Sequence, residues 1–478
     1  MRRARRSWLR ALGIGTAGLL AVAGAAPSSI FQAVAGTAAK PAARQPNMLF
    51  ILVDDMGFGD LSITGNRLVA TPNIDALARD GMLMTQFYDA APICSPSRAG
   101  FLTGQFPARN RFVTFIADRK RNREFGQADW LDPRLPNLAR SLKQAGYATA
   151  HIGKWHLGGG RDVADAPLPA AYGFDESYVQ FEGLGPRVLP SDIANNLARQ
   201  SAALGQGPID WLPRAQTTGR YVDRVLDFVS RKRAAPWFAQ LWLDDVHTPW
   251  QPDETQIAEV KGKGRDARED KFLAVLVAMD AEIGRLIAGL RAAGELDDTL
   301  IVFTSDNGPT IGADTPGSAG PYRGRKASLY EGGIRQPLII RWPGQVRPGS
   351  RDARSVVQAV DLYPTLARIA GAARPAGVDG IDVSAAWRGR VLTKRPDLYT
   401  HIARPAAERA FGPHYSIRSG PWKLLMDADG SAVELYDVER DPQEKRDRTA
   451  TAPQVASRLK AKLSGWIARL PRRPAAAD

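Results

Sequence analysis

The sequence predicts an α/β protein in which a large, mixed but mostly parallel sheet is flanked by helices, followed by a smaller C-terminal α+β subdomain containing an antiparallel sheet. Three observations carry this. Apolar runs of strand length alternate with helix-like segments from residue 47 onward, the polar motifs fall at the carboxyl ends of those runs, and past about Arg390 the texture changes to short strands broken by turn residues.

NMLFILVDD (residues 47–55) is an unbroken apolar run closing on two acids, as in a strand buried on both faces. TPNIDALARDG (71–81) has a threonine cap, a proline in the first turn and a closing glycine, which predicts a helix. LPNLARSLKQAGYATAHIGKWH (135–156) reads as helix, glycine stop, short strand and loop. WFAQLWLDDVH (237–247) and DTLIVFTSDNG (298–308) repeat the pattern of an apolar run ending in acids, and PLIIRWPG (337–344) is a further strand. Near the C-terminus, residues 414–442 read as short strands with turns at RSGPW and DADGS, and APQVASRLKAKLSGWIARL (452–470) is an amphipathic helix. Four polar motifs, at 54–55, 151–156, 244–247 and 306–307, therefore share one sheet edge, the edge where open α/β sheets bind ligands.

A chain of 478 residues with 44% hydrophobic and 24% charged residues is neither disordered nor membrane-embedded in composition. Residues 44–395 are expected to form the main domain and 396–478 the smaller subdomain, with no internal repeat. Residues 1–35 read as a signal peptide, with five arginines by Arg10, an apolar small-residue run over 11–26 and no acid. Cleavage is expected after Ala33-Val34-Ala35 or near Ala26. That run is too short and too rich in Gly and Ala for a span of about 20 strongly apolar residues, so no permanent membrane anchor is expected. Arg5-Arg6-Ser7-Trp8-Leu9-Arg10 resembles a twin-arginine signature, which implies the twin-arginine export machinery as a partner and a periplasmic or secreted location; ordinary unfolded secretion is the other reading.

Loss of the leader lowers the formal net charge from +14 to +9. That field suits an anionic substrate or polyanion, yet no block of like charge marks a nucleic-acid tail, and no nucleic-acid partner is expected. Cys94 is the single cysteine, so an internal disulfide is impossible.

Asp54, Asp55, Asp306 and Asn307 offer oxygen donors and no soft ligand, a set suited to a hard divalent cation such as calcium and less to zinc. Any one acidic pair alone would be a helix cap or a turn. Arg98, Lys154 and Lys326 with His156 supply three fixed cations and one titratable group, which suits an oxyanion ester. The chain has five histidines, and His156 and His247 fall in the motifs. Cys94 reads either as a small buried hydrophobe or as a thiolate nucleophile activated by Arg98 four residues on. Neither reading explains Pro96. Trp155 and Trp250 suit stacking on a ring of the substrate or packing in the core.

CSPSRAGFLTGQ (94–105) resembles the signature of the type I sulfatases of the alkaline phosphatase superfamily, in which the cysteine of Cys-x-Pro-x-Arg is oxidised to Cα-formylglycine by a formylglycine-generating enzyme. LVDDMGFGDL, GKWHLG, HTPW, TSDNGP and GRKASLYEGGIRQP match the remaining motifs in order. The resemblance implies an alkaline phosphatase-like fold and one Ca2+ per chain, bound by Asp54, Asp55, Asp306, Asn307 and the modified Cys94. The aldehyde would hydrate, and one hydroxyl would attack sulfur. Arg98 and Lys154 would steady the diol, Lys154 and Lys326 would hold the sulfate, His247 would protonate the leaving alcohol, and His156 would take a proton as the aldehyde re-forms. Gln105 departs from the arginine common after Leu-Thr-Gly, which puts the efficiency of conversion in question.

The expected function is hydrolysis of a sulfate ester, either an aryl sulfate or a sulfated carbohydrate. The alternatives are a phosphonate monoester hydrolase or phosphodiesterase of the same superfamily, and an inactive sulfated-glycan-binding protein. Specificity is expected in loops such as 110–131 and 158–218, where no pattern is recognisable.

Overall fold

The computed structural model describes residues 45–471 apart from 194–195, 232–234, 313 and 406–409, so the expected signal peptide, 1–35, lies outside the described residues. Among the described residues, eleven strands form one sheet. Its order is Ser350–Asp352, Met82–Tyr88, Arg335–Arg341, Thr299–Ser305, Asn47–Val53, Trp237–Trp242, Ala148–Lys154, Glu176–Gln180, Arg187–Pro190 and Ile209–Leu212, with Val357–Gln358 also pairing to Met82–Tyr88. All pairings are parallel except the two made by Arg335–Arg341.

The apolar runs explain the layering. Asn47–Val53 is buried throughout; Met48, Phe50 and Leu52 enter one core while Leu49, Ile51 and Val53 enter the other. Helices Cys94–Thr103, Leu138–Gln144 and Leu362–Ile369 cover the first core, and Pro72–Arg79, Thr217–Arg231 and Ala267–Ala292 cover the second. The helix expected over 71–81 spans Pro72–Arg79, but the Thr71 side chain does not cap it. Asp280 of Ala267–Ala292 accepts from the N–H groups of Asn73 (3.1 Å) and Ile74 (2.8 Å) instead, so a tertiary partner satisfies the exposed donors of the helix start.

The antiparallel strand has a simple cause. After Thr299–Ser305 the chain wanders along the carboxyl edge over residues 306–334 and enters the neighbouring position from that same edge, with no crossover helix to carry it back. The detour keeps a long loop at the edge where the motifs gather.

The C-terminal sheet is antiparallel, in the order Leu398–His401, Tyr415–Ser419, Trp422–Met426 and Glu434–Asp437, and is followed by helix Pro453–Ile467. Its apolar side chains Ile417, Leu424, Met426, Leu459 and Trp466 belong to the same core as one face of the large sheet. Phe106 packs edge-on against Tyr399 and Trp466, with ring centroids 5.6 and 6.1 Å away. Gln45–Asp478 forms one compact unit.

A buried charge cluster ties this sheet to the edge loop. Lys423 Nζ lies 3.0 Å from Glu331 Oε1 and 3.0 Å from Glu444 Oε1, and Glu331 also meets Arg335 Nη1 at 3.1 Å and accepts from the Tyr88 hydroxyl at 2.5 Å. Burial opposes the charge on Glu331, but Lys423 and Arg335 outweigh it and hold the carboxyl at about 2, whereas burial lifts Glu444 to about 7. Lys423→Met would strand the buried Glu444 and leave Glu331 only Arg335 and Tyr88, so a stability loss of about 3–5 kcal/mol is expected from the urea midpoint; a loss under about 1 kcal/mol would show that the cluster does not tie the sheets.

Candidate active site

Each expected site residue reaches the same edge. Asp54 and Asp55 directly follow Asn47–Val53, Asp306 and Asn307 follow Thr299–Ser305, and Lys154 ends Ala148–Lys154, with His156 two residues on. Cys94 is the first residue of helix Cys94–Thr103, His247 follows Trp237–Trp242, and Lys326 lies in the 306–334 loop.

Asp54 is the hub. Its Oδ1 accepts from Cys94 Sγ at 3.3 Å, and its Oδ2 pairs with Lys154 Nζ and lies 3.6 Å from Arg98 Nη2. Asp55 Oδ1 accepts from Lys326 Nζ (2.6 Å) and Asn307 Nδ2 (2.8 Å), and Oδ2 accepts from the Thr310 hydroxyl (3.1 Å). Arg98 grips Asp306 Oδ2 through Nε (2.9 Å) and Nη2 (2.8 Å), donates to the Lys154 carbonyl (3.1 Å), and lies over the Trp242 ring.

Burial raises all three carboxyls, but Lys154, His247 and Arg98 hold Asp54 well below the usual range, and Lys326 and His247 lower Asp55. Asp306 goes the other way, to about 7, through burial and the charge of Asp54. The Cys94 thiol is buried, and burial together with Asp54 pushes it far above its ordinary value. The geometry gives the thiolate reading no support from Arg98, whose guanidinium is turned to Asp306 and Asp54. Gln105 donates to the Gly377 carbonyl (2.7 Å) and accepts from Asn110 (2.9 Å), an anchoring role away from Cys94.

The histidines divide. His247 Nδ1 donates to the Thr248 carbonyl at 2.5 Å, which turns Nε2 toward Asp55 Oδ2, 3.7 Å away; desolvation and the Lys326 charge lower this imidazole to about 4. His156 Nε2 lies 3.4 Å from the Ile116 carbonyl and its Nδ1 is buried without a partner; burial, Lys154 and Arg98 keep it neutral. His151 belongs to the core, on Gln240 (2.9 Å) and between Trp155 and Trp242. Trp155 is likewise core, and Trp250 is buried against Phe272 with its N–H on the Val246 carbonyl (2.7 Å), so ring stacking on substrate is excluded for both.

The donors fit a hard divalent cation. Three carboxyls crowd together so closely that one is driven toward neutrality, and Asn307 Oδ1 is buried with no donor to satisfy it. One ligand atom from each of Asp54, Asp55, Cys94 and His247 also lies within 4.8 Å of the others. His247 was not among the expected metal ligands, and the expected ligand Asp306 is not in this group.

The centre opens into a cavity of about 210 Å³ that includes Asp54, Lys154 and His247 and is otherwise walled, among the described residues, by 160–161, 180–182, 189–190, 193, 197–198, 201, 214, 244 and 248–249. Most of that wall falls in the stretch 158–218, whose residues carried no readable pattern. Thr310 and Arg214 also escaped sequence reasoning, since neither stands in a residue pattern with chemical meaning.

The family model described as Sulfatase matches residues 46–372, and the one described as N-sulphoglucosamine sulphohydrolase, C-terminal, matches 322–469. The chain is 33% identical to N-acetylgalactosamine-6-sulfatase of Canis lupus familiaris, over 76% of this chain and 70% of the relative. It is 30% identical to arylsulfatase A of Homo sapiens, over 91% of this chain and 90% of the relative. The crystal structure of Ps i-CgsB in complex with k-i-k-neocarrahexaose superposes with a TM-score of 0.77 at 26% identity, covering 90% of this chain and 94% of that one.

Lys154 owes its position to the residue before it. Gly153 has φ +109°, and a Cβ there would stand 1.9 Å from the Trp242 carbonyl oxygen. Gly153→Ala is expected to cost about 1–3 kcal/mol in thermal or urea unfolding; an unchanged midpoint would show that the strand yields freely at this point.

Proposed function

The chain belongs to the sulfatase family and is a sulfuric ester hydrolase, and on that premise we propose that it acts through a formylglycine made from Cys94, with one Ca2+ held by Asp54, Asp55, Asp306 and Asn307. The observation that carries the proposal is the convergence on Asp54 of a buried thiol and two cations, beside two further carboxyls and an unsatisfied amide oxygen. Such a thiol is a poor nucleophile, and the hydrated aldehyde would supply the oxygen nucleophile that this position lacks. The cation would add positive charge where the sulfuryl oxygens bind.

The chain's own groups do the rest. Lys154 and Lys326 bind and neutralise sulfuryl oxygens, and Arg98 fixes Asp306 and, with Lys154, orients residue 94. With Nδ1–H held by the Thr248 carbonyl, His247 can act as the acid only when Nε2 is protonated as well, and in that imidazolium form it gives the Nε2 proton to the leaving alcohol oxygen. His156, whose Nδ1 is unpartnered, would take a proton at that atom from residue 94 as the C–O bond to the departing sulfate breaks. Substrates are sulfated carbohydrates or aryl sulfates. The matches to named sulfatases disfavour the phosphorus-ester reading, and the complete set of catalytic groups disfavours an inactive glycan-binding protein. Among the described residues no helix is long and apolar enough to cross a membrane; the arginine-rich leader supports export to the periplasm or beyond.

Intact-mass analysis of the exported protein, with an aldehyde-reactive probe, is expected to show residue 94 converted, and Cys94→Ala is expected to lower kcat on sulfate esters by about a thousandfold or more. A variant as active as the parent would refute the proposal. Chelation is expected to lower the melting temperature as well as activity, and Ca2+ to restore both, by about 2.7 kcal/mol at a hundred times Kd. A melting temperature indifferent to chelator and Ca2+ would remove the metal from the proposal.

A further inference from the structure

We infer that the chain with Cys94 unconverted holds a zinc ion, bound by Cys94 Sγ, His247 Nε2, Asp54 Oδ1 and Asp55 Oδ2, a donor set distinct from the oxygen set proposed for Ca2+. The inference concerns the thiol form of the chain and rests neither on conversion of residue 94 nor on sulfate hydrolysis.

One ligand atom from each of the four residues lies within 4.8 Å of the others. Two contacts among them are shorter: Cys94 Sγ stands 3.3 Å from Asp54 Oδ1, and His247 Nε2 stands 3.7 Å from Asp55 Oδ2. Zinc bonds of about 2.0 Å to nitrogen or oxygen and about 2.3 Å to sulfur place tetrahedral ligand atoms about 3.3–3.8 Å apart. Both contacts already have the length of an edge of that tetrahedron, and the widest separation has only about 1 Å to close.

The second atom of each group is held so that the first faces its neighbours. Asp54 Oδ2 pairs with Lys154, which leaves Oδ1 to the thiol. Asp55 Oδ1 accepts from Lys326 (2.6 Å) and Asn307 (2.8 Å), which leaves Oδ2 to the Thr310 hydroxyl (3.1 Å) and the imidazole. His247 Nδ1 donates to the Thr248 carbonyl, so in the neutral ring Nε2 carries a lone pair, and a histidine ligand commonly holds its other N–H in this way. Asp306 is not needed, because Arg98 grips it through two nitrogens.

The donor chemistry selects the ion. Thiolate and imidazole are ligands that zinc takes readily, whereas calcium takes oxygen. On binding, the Sγ–H proton passes to solvent as the Zn–S bond forms, and burial does not prevent this, since a coordinated thiol is deprotonated outright. With Arg98 offset by Asp306, the thiolate and two carboxylates against Lys154, Lys326 and the ion leave the site one charge from neutral. Asp54 and His247 line the cavity, and the His247 side chain is 32% exposed, which gives the ion a way in.

The test uses the full chain produced in cells without a formylglycine-generating enzyme, with intact mass showing an unmodified Cys94, and stripped of metal by a chelator. Elemental analysis after addition of Zn2+ is expected to give one ion per chain, with a higher melting temperature. Co2+ in its place is expected to show the sulfur-to-cobalt charge-transfer absorption of a thiolate ligand. In competition with a chromophoric chelator, Cys94→Ser and His247→Ala are each expected to weaken Zn2+ about a hundredfold or more. Circular dichroism of the metal-free variants checks that they fold, and the cobalt spectrum of the parent decides even where a variant does not. A cobalt complex without the thiolate band, a parent that retains no Zn2+, or a loss under about tenfold in either folded variant would overturn the inference. Those results would leave the sulfatase reading intact, and an exported chain whose Cys94 is never converted would refute that reading while leaving this inference in place.

Discussion

The structure depends on how a fully buried Asp54 keeps its charge. A carboxylate at the end of the central strand, out of contact with water, is stable only if cations are brought to it. Lys154 and Arg98 come from different elements, the end of the strand next but one in the sheet and the helix after Met82–Tyr88, and both converge on it. The same condition repeats at Asp55, with Lys326, and at Asp306, with Arg98. The centre is therefore a lattice of mutually compensating buried charges. Removing one member leaves its partners uncompensated, so catalytic geometry and folding stability are coupled there by construction.

The reversed strand serves this lattice. By returning from the same edge, the chain keeps residues 306–334 over the centre, so that one continuous loop contributes Asp306, Asn307, Thr310 and Lys326. At the far end of that loop Glu331 is fastened to Lys423 of the C-terminal sheet. The small sheet thereby braces the loop that carries Lys326, although it contributes none of the groups assigned to the chemistry.

The main strands were legible because burial on both faces demands unbroken apolar runs, and Asn47–Val53, Trp237–Trp242 and Thr299–Ser305 leave no ambiguity. Glu176–Gln180, Arg187–Pro190 and Ile209–Leu212 were not legible; they are short, half-polar strands near one border of the sheet, whose pairing is set by neighbours rather than by pattern. The direction of Arg335–Arg341 was hidden as well, since an apolar strand reads alike whichever way it runs. The central site residues were legible for a different reason: the strand-end topology places each within a contiguous motif. The cavity wall collects single residues such as Glu182 and Arg214 from separate segments, and no local pattern marks them. The cap from Asp280 was invisible for the same cause.

If residue 94 is converted as proposed, the burial of Cys94 sets an order of events in biosynthesis. Its side chain is 1% exposed, at the start of a helix in which every residue is buried. A second enzyme cannot close its own active site around an atom so enclosed without unravelling the helix. On the proposed chemistry, oxidation of residue 94 by such an enzyme would therefore have to come before the chain closes over it. If the chain crosses the membrane already folded, the aldehyde must be in place before departure, and the compartment in which the protein works is not the one in which it becomes competent.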